Sequence, residues 1–133
     1  MKISRSTGYA LLAVGYIAKD KSDALVMSQN IAREYDIPLE YLLKILQQLV
    51  RANVLRSKRG PSGGFSLAKP ATKISMLQII EAVDGPMASH LSLAEQGQGA
   101  KLGAKVEKAF DKAITQARTV FDKTKLSALI QGK

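Results

Sequence analysis

The chain has 133 residues, 46% of them apolar, no cysteine, one histidine, and 20 basic against 11 acidic side chains for a formal net charge of +9. That size suits one domain or one domain with an appendage. The composition excludes disulfides, thiol nucleophiles and thiolate metal sites, contains no apolar run long enough to span a bilayer, and favours a polyanionic partner, either nucleic acid or an anionic membrane surface.

The N-terminus joins a basic start to an apolar segment over residues 9–18, an outline shared by signal peptides. It lacks a small-x-small cleavage site, and Lys19-Asp20-Lys21 follows directly. The segment therefore reads as a folded helix over residues 4–19, with Tyr9, Leu12, Ala13, Tyr16 and Ile17 as its apolar stripe. A cytoplasmic protein is the expectation. Residues 20–24 form a polar turn, and Leu25-Val26-Met27 is a short apolar stretch. Ser28 is a plausible N-cap for a helix over 29–35, with Ile31, Ala32 and Tyr35 facing inward. Ser28 and Gln29 then stand where backbone N–H groups and side chains can meet phosphate.

Asp36-Ile37 turns the chain into Pro38, which fits a first helical turn because its missing N–H costs nothing there. Leu39, Leu42, Ile45, Leu46 and Leu49 recur at three and four, the period of one helical face. Glu40, Tyr41, Lys44, Gln47, Gln48 and Arg51 occupy the opposite side and can hydrogen-bond to base edges or phosphates. On an isolated helix such a face reads more readily as solvated surface than as a reading face. The next residues change that balance.

Residues 54–57 are a short strand candidate, and Phe65 and Leu67, two apart, share one face of a second strand. Between them lies Lys58-Arg59-Gly60-Pro61-Ser62-Gly63-Gly64, where glycines supply the positive φ of a hairpin return. Four basic residues and no acidic one occur from Arg51 to Arg59. A hairpin tip carrying Lys58 and Arg59 can reach a neighbouring groove, and arginine suits a narrow, electronegative minor groove. Two short helices followed by a basic hairpin form a winged helix-turn-helix layout.

Residues 69–73 are a linker. Ser75 and Gln78 make a capping box, and Ile74 with Ile79 fits the hydrophobic staple. Met76, Ile79, Ile80 and Val83 are expected in the core. Asp84-Gly85-Pro86 stops this helix. Periodicity fades from residue 87 to residue 100, and glycines gather over 96–103, which suggests a loop. Residues 102–121 form a long helix with apolar residues Leu102, Val106, Phe110, Ala113, Ala117 and Val120 at three or four. Ala109, Ala113 and Ala117 would let another helix come close. The fold expectation is mainly α, with a two-stranded wing. Residues 1–85 would be the winged helix-turn-helix DNA-binding domain, and 86–133 a loop and a long helix.

No Ser/His/Asp set, phosphate loop or metal-ligand spacing is present, so an enzyme is not expected. His90 reads as a lone surface histidine, and no cofactor or metal is expected.

The order Tyr41-Leu42, Ile45-Leu46, Leu49, Ala52-Asn53-Val54-Leu55, Ser57, then Arg59-Gly60-Pro61-Ser62-Gly63-Gly64-Phe65-Ser66-Leu67-Ala68 resembles the Rrf-two family of winged-helix transcriptional regulators (IscR, NsrR and CymR type). The resemblance covers the first two thirds of the chain. Residues 74–86 match the family's next helix, and residues 124–129 echo its terminal segment, which is expected to dock on the first helix. The resemblance implies a homodimeric, sequence-specific regulator of transcription, a repressor, bound to a pseudo-palindromic operator in double-stranded DNA. On that reading Ser28, Gln29, Leu39, Glu40, Tyr41, Lys44, Gln48, Lys58, Arg59, Gly60 and Pro61 form the DNA face. Leu102, Val106, Phe110, Ala113, Ile114, Ala117 and Phe121 form the dimer face, which makes residues 86–133 the effector loop and dimerisation helix. The first helix would lie beneath the helix-turn-helix and against the long helix. Many family members hold an iron–sulfur cluster on three cysteines of the loop; this chain has none, so a small ligand or a partner protein acting over residues 87–102 is expected to be the effector. Leu43 and Lys44 stand where cluster-binding members often carry polar or acidic residues, which implies a different operator. The competing reading is a winged-helix module that binds a protein instead of DNA.

Overall fold

The computed structural model describes residues 3–20, 25–88, 92–93 and 100–131. The expected turn at 20–24 lies mostly outside them, as do His90 and most of the loop over 87–100. The element order is α1 (Arg5–Lys19), α2 (Ser28–Tyr35), α3 (Leu39–Arg51), β1 (Leu55–Lys58), β2 (Gly64–Leu67), a 3-10 turn (Ala71–Lys73), α4 (Met76–Asp84), α5 (Ala100–Lys123) and α6 (Leu126–Leu129). It is a mainly α winged helix-turn-helix fold with a long C-terminal helix.

α1 starts at Ser4, whose side chain accepts from the Thr7 backbone N–H. Its buried face differs from the expected stripe. Thr7, Ala10, Ala13, Val14 and Ile17 are buried, whereas Leu12 is exposed and Tyr9 and Tyr16 are half-buried. The reason is crowding: α1 packs against α2, α3, α4, β2 and α6, so small side chains take the inner positions and larger ones sit at the rim. The resemblance placed α1 against the long helix. Within one chain, however, its principal neighbours are α4 and α3, and α5 rests on α4.

Two left-handed residues set the helix-turn-helix and the entry to the wing. Asp36 (φ 54) ends α2, and the Ile37 N–H bonds back to the Ala32 carbonyl at 2.9 Å. Asn53 (φ 62) ends α3, where the Val54 N–H reaches the Leu49 carbonyl at 3.0 Å and the Asn53 N–H reaches the Val50 carbonyl at 3.0 Å. This is a Schellman ending, and its paired apolar residues, Leu49 and Val54, are both buried. The expected Ser28 cap is not formed. Met27 is the N-cap residue and makes no side-chain cap bond. Ser28 is the first helical residue, is buried, and bonds to Gln29.

α3 buries Leu42, Ile45, Leu46 and Leu49 to 1% exposure or less. Each such side chain contributes about 1.5–3 kcal/mol relative to exposure, which fixes the rotation of α3 about its axis. β1 pairs antiparallel with β2, Leu55 opposite Leu67 and Lys58 opposite Gly64. The first strand begins one residue later than expected because Val54 is used by the α3 ending. Val26 adds a bridge that the sequence had not suggested: its N–H and carbonyl bond to Phe65 at 2.9 and 2.8 Å.

In α4 the capping box forms, with the Gln78 N–H to Ser75 Oγ at 3.1 Å and the Ser75 N–H to Gln78 Oε1 at 3.0 Å. Ile74 and Ile79 are fully buried. Leu77, rather than Met76 or Val83, joins Ile79 and Ile80 in the core. After α5 the chain returns: Met76 N–H to Thr124 O is 2.7 Å, Leu126 N–H to Ile74 O is 2.8 Å, and Leu126 is buried in the main core. The terminal segment thus packs on the 3-10 turn and on α1, as its sequence suggested.

Candidate nucleic-acid interface

α3 exposes one stripe along its outer side. Glu40, Lys44, Gln47 and Arg51, separated by four, three and four residues, are all solvent-exposed. Glu40 lies in the first turn and Arg51 in the last, each on the end of the helix that suits its charge. Leu39 and Gln48 are half-buried. Tyr41 is exposed but held: its hydroxyl hydrogen-bonds to Ser6 of α1, and its ring meets Tyr9 edge-on with centroids 5.8 Å apart. The structure therefore separates Tyr41 and Gln48 from the Lys44 stripe with which they were grouped.

The second half of α3 and the wing enclose a concavity of about 520 Å³ with the start of α2. Met27, Ser28 and Gln29 form one wall, Gln47, Val50 and Arg51 the floor, and residues 57–61 with 63–65 the other wall. Arg51, Lys58 and Arg59 line it, and no acidic side chain does. Lys58, Arg59, Gly60 and Pro61 are all exposed at the hairpin tip. The tip is shaped by its glycines. A Cβ on Gly63 would lie 2.1 Å from the Lys58 carbonyl oxygen, and Gly60 has φ +105. Gly63 is required by space, and Gly60 is favoured by its positive φ.

Of the expected DNA-face residues, Ser28, Gln29, Lys58, Arg59, Gly60 and Pro61 meet in this concavity, and Lys44 continues the stripe that leads into it. Glu40, Leu39, Tyr41 and Gln48 lie outside its lining. Gln47, Arg51 and Met27 line it without having been included. The polar stripe already contained Gln47 and Arg51, and their place three and seven residues after Lys44 was the available signal. The described residues contain no group of three or more His, Cys, Asp or Glu able to hold a metal.

A family model, described as Rrf2, iron-dependent transcriptional regulator, matches residues 3–132. The chain belongs to the Rrf2 family of transcriptional regulators. The description of that family model is of a transcriptional regulator. IscR of Cereibacter sphaeroides, an HTH-type transcriptional regulator, is 28% identical over all of this chain and 89% of its own length. A Mycobacterium tuberculosis protein assigned to the HTH-type regulators is 36% identical over 67% of this chain, and the match spans 55% of that relative, about half its length. The solved structure of CymR, the global cysteine regulator of B. subtilis, superposes with a TM-score of 0.81 at 25% identity, covering 98% of this chain and 96% of CymR. The iron of the family description does not fit this member as a thiolate-held cluster, because the sequence contains no cysteine to ligate it.

The long helix divides its apolar residues between two directions. Leu102, Phe110 and Val120 are 68%, 48% and 61% exposed, and Ala113 is also exposed. Val106, Ala117 and Phe121 are half-buried. Ile114, expected on the dimer face, lines a small cavity with Ile3 and Ile80 of its own chain. Arg118 pairs with Glu81 of α4 and donates to the Met87 carbonyl at 3.3 Å.

Proposed function

We propose that this Rrf2 member is a cytoplasmic homodimer that binds a pseudo-palindromic operator and represses transcription, without an iron–sulfur cluster. The observation that carries the reading is the convergence of the α2 start, the polar stripe of α3 and the cationic hairpin tip on one acid-free concavity. A concave cationic surface of that kind neutralises phosphates, while Lys44 and Gln47 on the adjoining stripe reach base edges in the major groove. Arg59 at the tip enters the flanking minor groove. Glu40 and Tyr41 sit at the start of α3, the part of a recognition helix that approaches the bases.

The second copy is held by the outward stripe Leu102, Val106, Phe110, Ala113 and Ala117, with Phe121 at its end. Exposed Leu102 and Phe110, with Val120 on the same helix side, support that assignment. Occupying an operator that overlaps a promoter excludes polymerase, hence repression. The effector is a small ligand or partner protein acting over residues 87–102. A thermal-shift screen that finds neither would leave a constitutive binder.

The deciding experiment selects bound genomic fragments and titrates one by fluorescence anisotropy at several salt concentrations. Affinity falls with a log–log slope of about −0.9 per phosphate contact. Arg59→Ala costs about 1–3 kcal/mol of operator binding. A salt-independent titration, or an Arg59→Ala protein with native affinity, overturns the assignment. Phe110→Glu should yield monomers in analytical ultracentrifugation; a dimer that survives it is built elsewhere.

A further inference from the structure

The first turn of α1 is tied to two other helices through its hydroxyl groups. On one side, Asp84, the last residue of α4, accepts from Ser4 Oγ at 2.7 Å and from Thr7 Oγ1 at 2.5 Å. Ser4 is the α1 N-cap, and its Oγ also accepts the Thr7 backbone N–H at 3.2 Å. Asp84 therefore holds the Ser4 proton, leaving a lone pair of Oγ turned to the helix. It also places a carboxylate beside the positive end of the α1 dipole. On the other side, Ser6 of the same turn hydrogen-bonds to the Tyr41 hydroxyl on α3, and Tyr9, one turn on, packs edge-to-face on the Tyr41 ring.

We propose that Ser6 and Asp84 are positioning residues for Tyr41, so that the end of α4 sets the orientation of a recognition-helix side chain through the first turn of α1. Neither residue needs to touch DNA. Asp84 fixes the cap, the cap fixes the first turn, and the first turn presents Ser6 to Tyr41. Without that bond the phenol is held only by its ring contact and can leave the pose that the helix start requires. The affinity consequence rests on the DNA-binding reading above; the orientation of Tyr41 does not.

Two readouts keep those apart. Fluorotyrosine is incorporated into the protein, and the Tyr41 fluorine resonance is assigned by its loss in Tyr41→Phe. Resonances are compared in the free protein well below the melting transition, and anisotropy is measured on a selected operator. Ser6→Ala and Asp84→Asn are each expected to shift the Tyr41 resonance. Combining them should add little to Ser6→Ala alone, because both act on one bond. Operator affinity should fall about fivefold, the scale of one hydrogen bond, with the salt slope unchanged. Asp84→Glu, which keeps the carboxylate, should restore most of both signals. A Tyr41 resonance unmoved by Asp84→Asn in a folded protein overturns the proposal. So does a shift that Asp84→Glu does not reverse. Should Asp84→Asn fail to fold, Ser4→Ala removes the same link, and an unmoved resonance there is equally fatal. A resonance that moves as expected in a protein that binds no DNA upholds the coupling and removes the regulator assignment.

Discussion

Replacing Gly64 with alanine tests whether the wing is anchored as the structure has it. Gly64 opens β2 with φ +153, and a Cβ there would stand 2.6 Å from the Val26 carbonyl oxygen and 3.0 Å from the Leu25 Cβ. That oxygen accepts the Phe65 N–H at 2.8 Å, and the Val26 N–H returns a bond to Phe65 at 2.9 Å. The methyl group must push the 25–26 segment away, so both bonds are lost or stretched. Two backbone hydrogen bonds at ~0.5–1.5 kcal/mol each, together with ~1–2 kcal/mol for an alanine at this φ, give a loss of about 2–5 kcal/mol. Gly60 supplies the control. It also has a positive φ, +105, but an added Cβ there meets nothing within 4 Å. Gly60→Ala should therefore cost only the backbone term, ~1–2 kcal/mol. Urea unfolding followed by far-UV circular dichroism measures both variants. The reasoning fails if Gly64→Ala is no more destabilising than Gly60→Ala, since the contact with Val26 is then not what glycine is needed for.

Three further outcomes are expected. Asn53→Gly relieves a side chain held at φ 62 in the α3 ending and should raise stability by a few tenths of a kcal/mol, up to about 1, seen as a higher urea midpoint with unchanged slope. Ser75→Ala removes the formed capping box of α4 and should cost about 1 kcal/mol in the same assay. Asp84 titrates low: partial burial would raise its pKa, but the hydrogen bonds from Thr7 and Ser4 outweigh that and hold it below the ordinary 3.8. Its contribution is thus full above the unfolded-state value and is lost as pH falls through the lower folded value. The stability gap between wild type and Asp84→Asn should be constant near neutrality and close only below about pH 4.

Residues with a strong local signature were read correctly from the chain. The α3 face, the Ser75 and Gln78 box and the Gly-Pro stop of α4 all follow from side-chain spacing or capping chemistry, which act within a few residues. The basic hairpin was visible for the same reason. The misplacements have a different origin. Leu12 was assigned to the core because leucine is apolar, yet the inner face of α1, packed against several elements, is taken by Thr7, Ala10, Ala13, Val14 and Ile17. Met27 rather than Ser28 occupies the N-cap position of α2, directly after the Val26 bridge to Phe65, a partner 39 residues away. The bond from the exposed Tyr41 hydroxyl to Ser6, 35 positions earlier, was likewise invisible from the spacing of α3. Each error comes from a contact between residues distant in sequence, which spacing within one element cannot encode.

The ties of α5 determine what a signal on that helix could move. Glu107 in its first half accepts the Leu93 N–H at 2.5 Å, and among the described residues the ties of the helix to α4 lie in its second half and just beyond it. Arg118 pairs with Glu81, Ile114 faces Ile80, and Thr124 and Leu126 bond to the backbone flanking Ser75. α4 is thus clamped to α5 near both of its own ends, and the two form one lever. α4 in turn packs on α3 and on α1. If two copies pair through the stripe from Leu102 to Phe110, the crossing of the long helices sets the separation of the two reading helices. A pair reading successive major grooves needs a separation of about 34–36 Å. A ligand that rotates one α5 against the other then alters that distance without touching α3. On that arrangement the Glu81 and Arg118 pair, which joins α4 to α5, would carry the rotation to α4. Arg118→Ala should therefore weaken the response to an effector more than it weakens binding in its absence. Equal loss in both conditions would show that the lever is not the route.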